Sequence, residues 1–128
     1  MIDRPIYTNQ LKYFIDKPQI KIITGIRRSG KSTVLRLLKD ELLRNGIREE
    51  QIVLVNFESF SSAEIATATK LYDWIKQKST HGRRTYLLLD EIQEVDQWEK
   101  AVNSLMTDFD VDICLTGSNS HMLSSELA

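Results

Sequence analysis

Eight residues carry the clearest chemistry in this chain: Gly25-Ile26-Arg27-Arg28-Ser29-Gly30-Lys31-Ser32, the pattern G-x-x-x-x-G-K-S. Glycines at that spacing let a backbone turn tightly with its N–H groups aimed inward, where they cradle phosphate oxygens. The Lys31 ammonium is placed to reach the outer phosphates, the Ser32 hydroxyl to face a Mg²⁺ ion, and Thr33 continues the polar run. A helix starting near Gly30 adds its positive N-terminal end to the same site. Arg27 and Arg28 occupy variable positions, where they face either phosphate or solvent. The plain alternative is a strand-to-helix turn with Lys31 and Ser32 solvated at its end. What favours phosphate binding is context: the apolar run Ile20 to Ile23 lies before the loop and a helical pattern follows it.

The second cluster is Leu87-Leu88-Leu89-Asp90-Glu91, roughly sixty residues further on. An apolar strand that ends in two carboxylates delivers both to the edge of a sheet. Asp90 is placed to share the Mg²⁺ ion with Ser32, and Glu91 to orient or deprotonate an attacking water. An acid beside the metal carboxylate suits hydrolysis better than transfer to a substrate hydroxyl, for which no acceptor pocket is legible. After the last strand, Ser118 and Asn119 follow Thr116-Gly117. They read equally well as contacts to the γ-phosphate or water and as helix N-caps. Asn56, at another strand end, could touch Glu91, although a turn role is the simpler reading.

These groups need a scaffold, and the chain supplies one by alternation. A short helix is expected over residues 9–15, with Pro18 forcing extended geometry before the first strand, 19–24. Leu35, Leu38 and Leu42 recur at helical spacing after the loop, until Asn45-Gly46 stops the helix. Residues 52–57 form a second strand. Ser61-x-x-Glu64 reads as the cap of a helix burying Ile65, Ala68, Leu71, Tyr72 and Ile75. Residues 86–89 make the third strand, Asp96-x-x-Glu99 caps a helix burying Trp98, Val102, Leu105 and Phe109, and residues 111–115 make the fourth. A last short helix is expected over 121–127. Uninterrupted apolar strands between amphipathic helices predict an α/β fold: a three-layer parallel sheet covered on both faces, with ligands at the carboxyl ends of its strands.

Composition bounds the rest. A chain of 128 residues, 41% hydrophobic and 27% charged, fits one globular domain. Its net charge of −1 gives no basic signature for nucleic acid. There is no apolar run of membrane-spanning length, and the lone Cys114 suits a reducing cytoplasm as a small buried hydrophobe. His81 and His121 lack metal-ligand spacing, so the expected metal is the nucleotide's own Mg²⁺. Arg83 and Arg84 precede the third strand, on the edge away from the phosphates, and read as surface charge.

Taken together, the strings Gly25-Ile26-Arg27-Arg28-Ser29-Gly30-Lys31-Ser32-Thr33, Leu89-Asp90-Glu91-Ile92-Gln93 and Leu115-Thr116-Gly117-Ser118-Asn119-Ser120 resemble the AAA-type ATPase domain of a large bacterial and archaeal group. Val55-Asn56-Phe57-Glu58, Trp98-Glu99-Lys100 and the opening Asp3-Arg4-Pro5-Ile6-Tyr7 fit as well, so the resemblance runs the whole length. It implies an ASCE-type P-loop fold, with one strand between the P-loop strand and the Walker-B strand. It implies ATP and Mg²⁺ as ligands, Lys31 and Ser32 at the P-loop positions, and Asp90 and Glu91 as Walker B. Ser118 or Asn119 is then the sensor, and residues 3–6 lie near the adenine. Members of the group usually carry a winged-helix and nuclease-like C-terminal region. A homo-oligomer supplying an arginine in trans, and any role on DNA, follow by analogy alone. The family pattern also calls for a fifth core strand and a lid after the fourth strand. Their absence here leads us to expect an N-terminal fragment with weak hydrolysis and an exposed first strand, residues 20–23. A P-loop kinase and a nucleotide-gated switch are the rival functions; the lack of an N-K-x-D guanine-reading motif tilts the nucleotide towards ATP.

Overall fold

The computed structural model describes residues 14–17, 19–24, 28–79 and 82–117. Within them the chain runs β1 (Lys21–Ile23), α1 (Arg28–Arg44), β2 (Ile52–Asn56), α2 (Ala68–Lys78), β3 (Thr85–Asp90), α3 (Trp98–Asp108) and β4 (Val111–Thr116). The four strands form one parallel sheet in the order β1-β4-β3-β2. One strand, β4, therefore separates β1 from β3. The helices expected over residues 9–15 and 121–127 lie almost wholly or wholly outside the described residues.

Strand side chains alternate between faces, and the two faces are covered differently. Val53, Val55, Leu87, Leu89, Ile113 and Leu115 pack with Leu71, Ile75, Trp98, Val102 and Leu105 of α2 and α3. Ile23, Ile52, Tyr86, Leu88 and Cys114 pack with Val34, Leu35, Leu38 and Leu42 of α1. The result is three layers, with α1 on one face and the α2–α3 pair on the other. All six residues of β3 and all six of β4 are buried, as the central strands of a sheet covered on both sides must be. Leu54, on edge strand β2, is 36% exposed. Among the described residues no helix is long and apolar enough to cross a membrane.

The stop of α1 is the one the sequence promises. Ile47 N donates to Leu42 O at 3.0 Å and Gly46 N to Leu43 O at 3.1 Å, with Gly46 at φ +91°. That paired closure needs a left-handed residue, which glycine supplies without a Cβ clash.

The starts of α2 and α3 differ from expectation. Ser61 caps no long helix. Residues Phe60–Ile65 close a separate 3-10 helix whose cap is Ser59, the chain leaves helical geometry at Ala66, and α2 begins anew with Thr67 accepting from Lys70 N at 3.3 Å. Asp96 is not the cap of α3 either. Its amide is committed to Ala66 O at 2.9 Å, and it bridges to Thr67, so the turn falls one residue later at Gln97, φ +57°. In both places a tie between neighbouring loops outcompetes the local capping pattern.

Arg84 reaches Asp110 at 3.0 Å and Asp16 at 2.9 Å at the amino end of the sheet, so the expected surface charge is a surface ion-pair cluster. Tyr86 also donates to Asp16, at 2.7 Å, and burial first, then this hydrogen bond, holds its hydroxyl well above the usual phenol range.

Candidate active site

The carboxyl ends of β3 and β4, together with the start of α1, bring four chemically active side chains together. Lys31 lies in the first turns of α1, 5% exposed, and its Nζ donates to Gly117 O at 2.8 Å. The same ammonium stands 3.8 Å from Glu91 Oε2. Ser32 Oγ donates to Asp90 Oδ2 at 2.5 Å. Asp90 and Glu91 are each 3% exposed at the end of β3. Thus two adjacent pairs far apart in the chain, Lys31–Ser32 and Asp90–Glu91, share one cluster, in which all but the half-buried Ser32 are buried.

The path from β3 into the following turn fixes the aim of both carboxylates. Asp90 is the last residue in the ladder, its carbonyl accepting from Phe57 N at 3.0 Å. Glu91 then takes a left-handed conformation, φ 57° and ψ 54°. Such geometry is uncommon for a residue with a β-carbon and collects at functional positions. It reverses the chain so that the 3-10 turn Ile92–Glu94 starts at once, pinned by Ile92, 0% exposed, and Val95, 1% exposed.

Thr116, the last residue of β4, ties the two acids together. Its Oγ1 donates to Asp90 Oδ1 at 2.5 Å and accepts from Glu91 N at 2.9 Å. The sequence marks this stretch as a polar cluster and directs attention to Ser118 and Asn119; the side chain that bridges the acids is Thr116. Leu89 pairs with Leu115, so Thr116 falls beside Asp90, a neighbour visible only once that register is known. Gln93 is the other residue that residue-by-residue reading leaves without a role: its Nε2 donates to Glu91 Oε1 at 2.8 Å.

Of the remaining residues singled out from sequence, Gly30 and Thr33 lie in α1, and Thr33 Oγ1 accepts from Arg36 Nη2 at 3.3 Å. Arg28 and Ser29 open the same helix. Gly25, Ile26, Arg27, Ser118 and Asn119 lie outside the described residues. Asn56 Oδ1 accepts from Glu58 N at 3.0 Å, the local turn role.

Charge balance bears on a metal. Among the described residues no group of three or more His, Cys, Asp or Glu side chains could hold an ion by itself. Asp90 is buried and accepts from two hydroxyls, yet none of the ion pairs among the described residues includes it. A buried carboxylate without a counter-charge is costly. Its oxygen and that of Ser32 are hard donors that fit a cation such as Mg²⁺, which takes one or two protein ligands and fills its shell with water and phosphate.

Comparison with known proteins agrees with this layout. Residues 17–128 match the family described as AAA domain. An uncharacterized protein of Haemophilus influenzae is 44% identical over 129 residues, covering 100% of this chain and 32% of its own length. An uncharacterized protein of Methanocaldococcus jannaschii is 34% identical over 110 residues, covering 86% of this chain and 23% of its own. The chain thus spans a third or less of the curated relatives it matches. No solved structure matches it. With an α1 lysine and serine meeting a strand-end acid pair at the carboxyl edge of a parallel sheet, and a match over nearly the whole length, the chain belongs to the AAA domain family of nucleotide-binding, ATPase-type domains.

Proposed function

We propose that this chain binds ATP with Mg²⁺ and hydrolyses it, and that the nucleotide state is passed to another domain or partner. The observation that carries the reading is the continuous, largely buried network Ser32–Asp90–Thr116–Glu91–Lys31 at the carboxyl edge of the sheet. The strand order, with β4 between β1 and β3, supports an ASCE-type P-loop fold.

Each residue then has a task. The segment from Gly25 into the first turn of α1 wraps the phosphates with backbone N–H groups, including those of Ile26, Arg27, Arg28 and Ser29. Lys31 exchanges Gly117 O and Glu91 for phosphate oxygens, a stronger charge-assisted partner. Ser32 and Asp90 would hold Mg²⁺, which when bound neutralises charge on the β- and γ-phosphates. Glu91 takes a proton from the attacking water or orients it. Thr33 supports the loop from the first turns of α1, and Ser118 or Asn119 reads the γ-phosphate from the end of β4. We further propose that the chain is one AAA domain of a longer protein, and that a second subunit supplies an arginine to complete catalysis. A role on DNA rests on analogy with the family.

The test is calorimetric titration of ATP and GTP with Mg²⁺, together with phosphate release, in the full-length protein, Lys31→Ala and Glu91→Gln. The reading expects ATP binding that Lys31→Ala abolishes and Glu91→Gln preserves, with turnover lost in both. Binding without turnover in the unsubstituted protein selects the nucleotide-gated switch. Phosphate passing to an acceptor faster than to water selects the kinase.

A further inference from the structure

We propose that Gln93 is the residue that aims Glu91 and, through its carbonyl oxygen, holds the attacking water. The inference rests on the hydrolytic reading of the site and deepens it. Gln93 Nε2 donates to Glu91 Oε1 at 2.8 Å, while the other oxygen of the same carboxylate faces Lys31 at 3.8 Å. The two partners clamp the carboxylate from its two ends. When phosphate draws Lys31 away, the amide of Gln93 is the contact that keeps Glu91 in place.

The second observation concerns the other end of that amide. Gln93 Oε1 is buried and has no hydrogen-bond partner among the described residues. A buried acceptor without a donor is unusual and calls for an explanation in the site's work. Together, the carboxylate of Glu91 and the carbonyl of Gln93 present acceptors only. The small ligand that satisfies both acceptors at once is water, with two O–H donors, admitted once the Gln93 side chain turns its now-enclosed oxygen towards the site. One O–H would point to Glu91, which takes that proton as the oxygen bonds to the γ-phosphorus and the bond to the β–γ bridging oxygen breaks, releasing ADP. The other would be held by Gln93, turning a lone pair towards the phosphate.

The backbone makes this geometry rigid. Gln93 sits within the 3-10 turn between Ile92 and Val95, both embedded in the core, and Glu94 N closes the turn onto Glu91 O at 3.1 Å. Gln93 can therefore move relative to Glu91 only by rotating its own side chain.

The experiment measures ATP turnover and nucleotide affinity in the full-length protein with Gln93→Met, close in size but unable to hydrogen-bond, and with Gln93→Glu, which keeps the acceptor but loses the donor. The expected result is a fall in kcat of about tenfold or more in both, with KM and nucleotide affinity within about twofold. In a Glu91→Gln background, Gln93→Met should cost clearly less than in the unsubstituted protein, because the part of its effect that passes through Glu91 is already gone. A kcat within about twofold of the unsubstituted protein overturns the role of Gln93 alone. So does an equal loss in both backgrounds, which would mark a merely structural residue. Absence of turnover in the unsubstituted protein overturns the hydrolytic reading as well, and is recognised before any variant is compared.

Discussion

Thr116 Oγ1 donates to Asp90 Oδ1 at 2.5 Å, so the strand-end carboxylate of β3 is oriented by the last residue of its neighbour β4. The same hydroxyl accepts from Glu91 N at 2.9 Å. Thr116→Val keeps the shape but strands a buried N–H and removes a donor from a buried carboxylate. The expected cost is about 1–3 kcal/mol of stability, read by thermal or urea unfolding. Turnover should fall on the order of tenfold while ATP affinity changes little, since on the proposed mechanism the lost contact orients Asp90 and Glu91 and not the residues that hold phosphate. Thr116→Ser retains the hydroxyl and should keep most of the activity. A Val variant with full turnover would show that Asp90 and Glu91 orient themselves.

The contrast between Lys31 and Thr116 explains how far the sequence alone reaches. Lys31, Ser32, Asp90 and Glu91 announce themselves because their spacing and flanking apolar runs are local. The strands β3 and β4 are legible because burial on both faces demands uninterrupted apolar residues. Thr116 and Gln93 sit inside strings that stand out, yet their tasks depend on pairing and turn geometry. The register Leu89 with Leu115 sets the first, and the left-handed turn at Glu91 sets the second. The caps of α2 and α3 are misjudged for the opposite reason. Ser61-x-x-Glu64 and Asp96-x-x-Glu99 are good local patterns, but the contact of Asp96 with Ala66, thirty residues away, decides where both helices start.

That contact gives a direct check on the start of α2. Thr67 is the residue whose side chain caps the helix, so Thr67→Ala should cost about 1 kcal/mol. Ser61→Ala, at an exposed position in the preceding 3-10 helix, should stay within about 0.5 kcal/mol. Urea unfolding of the two variants distinguishes them; a larger loss at Ser61 would restore the longer helix.

Cys114 lies on β4 against α1, 2% exposed, and burial pushes its thiol up to about 12. The neutral thiol is therefore favoured by folding. Its contribution to stability is whole below the ordinary value of 9.0 and fades as pH rises from there towards about 12. At pH 8 the folded protein should resist iodoacetamide, and denaturant should release one reactive thiol. Rapid alkylation under native conditions would mean that β4 opens readily.

The amino end of the sheet holds an ion pair with a different purpose from the acids at the ligand edge. Lys21 on β1 pairs with Asp112 on β4, with side chains 10% and 5% exposed, and Asp112 also accepts from Asp16 N at 2.7 Å. Lys21 donates as well to Lys17 O at 3.2 Å, so the pair fastens both edge strand β1 and the segment before it. Strand β1 is three residues long and precedes the segment proposed to wrap the phosphates, so its fastening bears on that proposal. Lys21→Met leaves Asp112 buried without its counter-charge, and the expected loss is about 3–5 kcal/mol. Lys21→Met with Asp112→Leu removes both charges and should recover most of that loss, because burying two charges cancels much of their attraction. Unfolding curves of the two single variants and the pair decide the matter. If the double variant is as unstable as Lys21→Met, the anchoring of residues 16 and 17 matters more than the charge balance. ATP affinity would then fall together with stability, as the strand that precedes the proposed phosphate-binding segment loses its anchor.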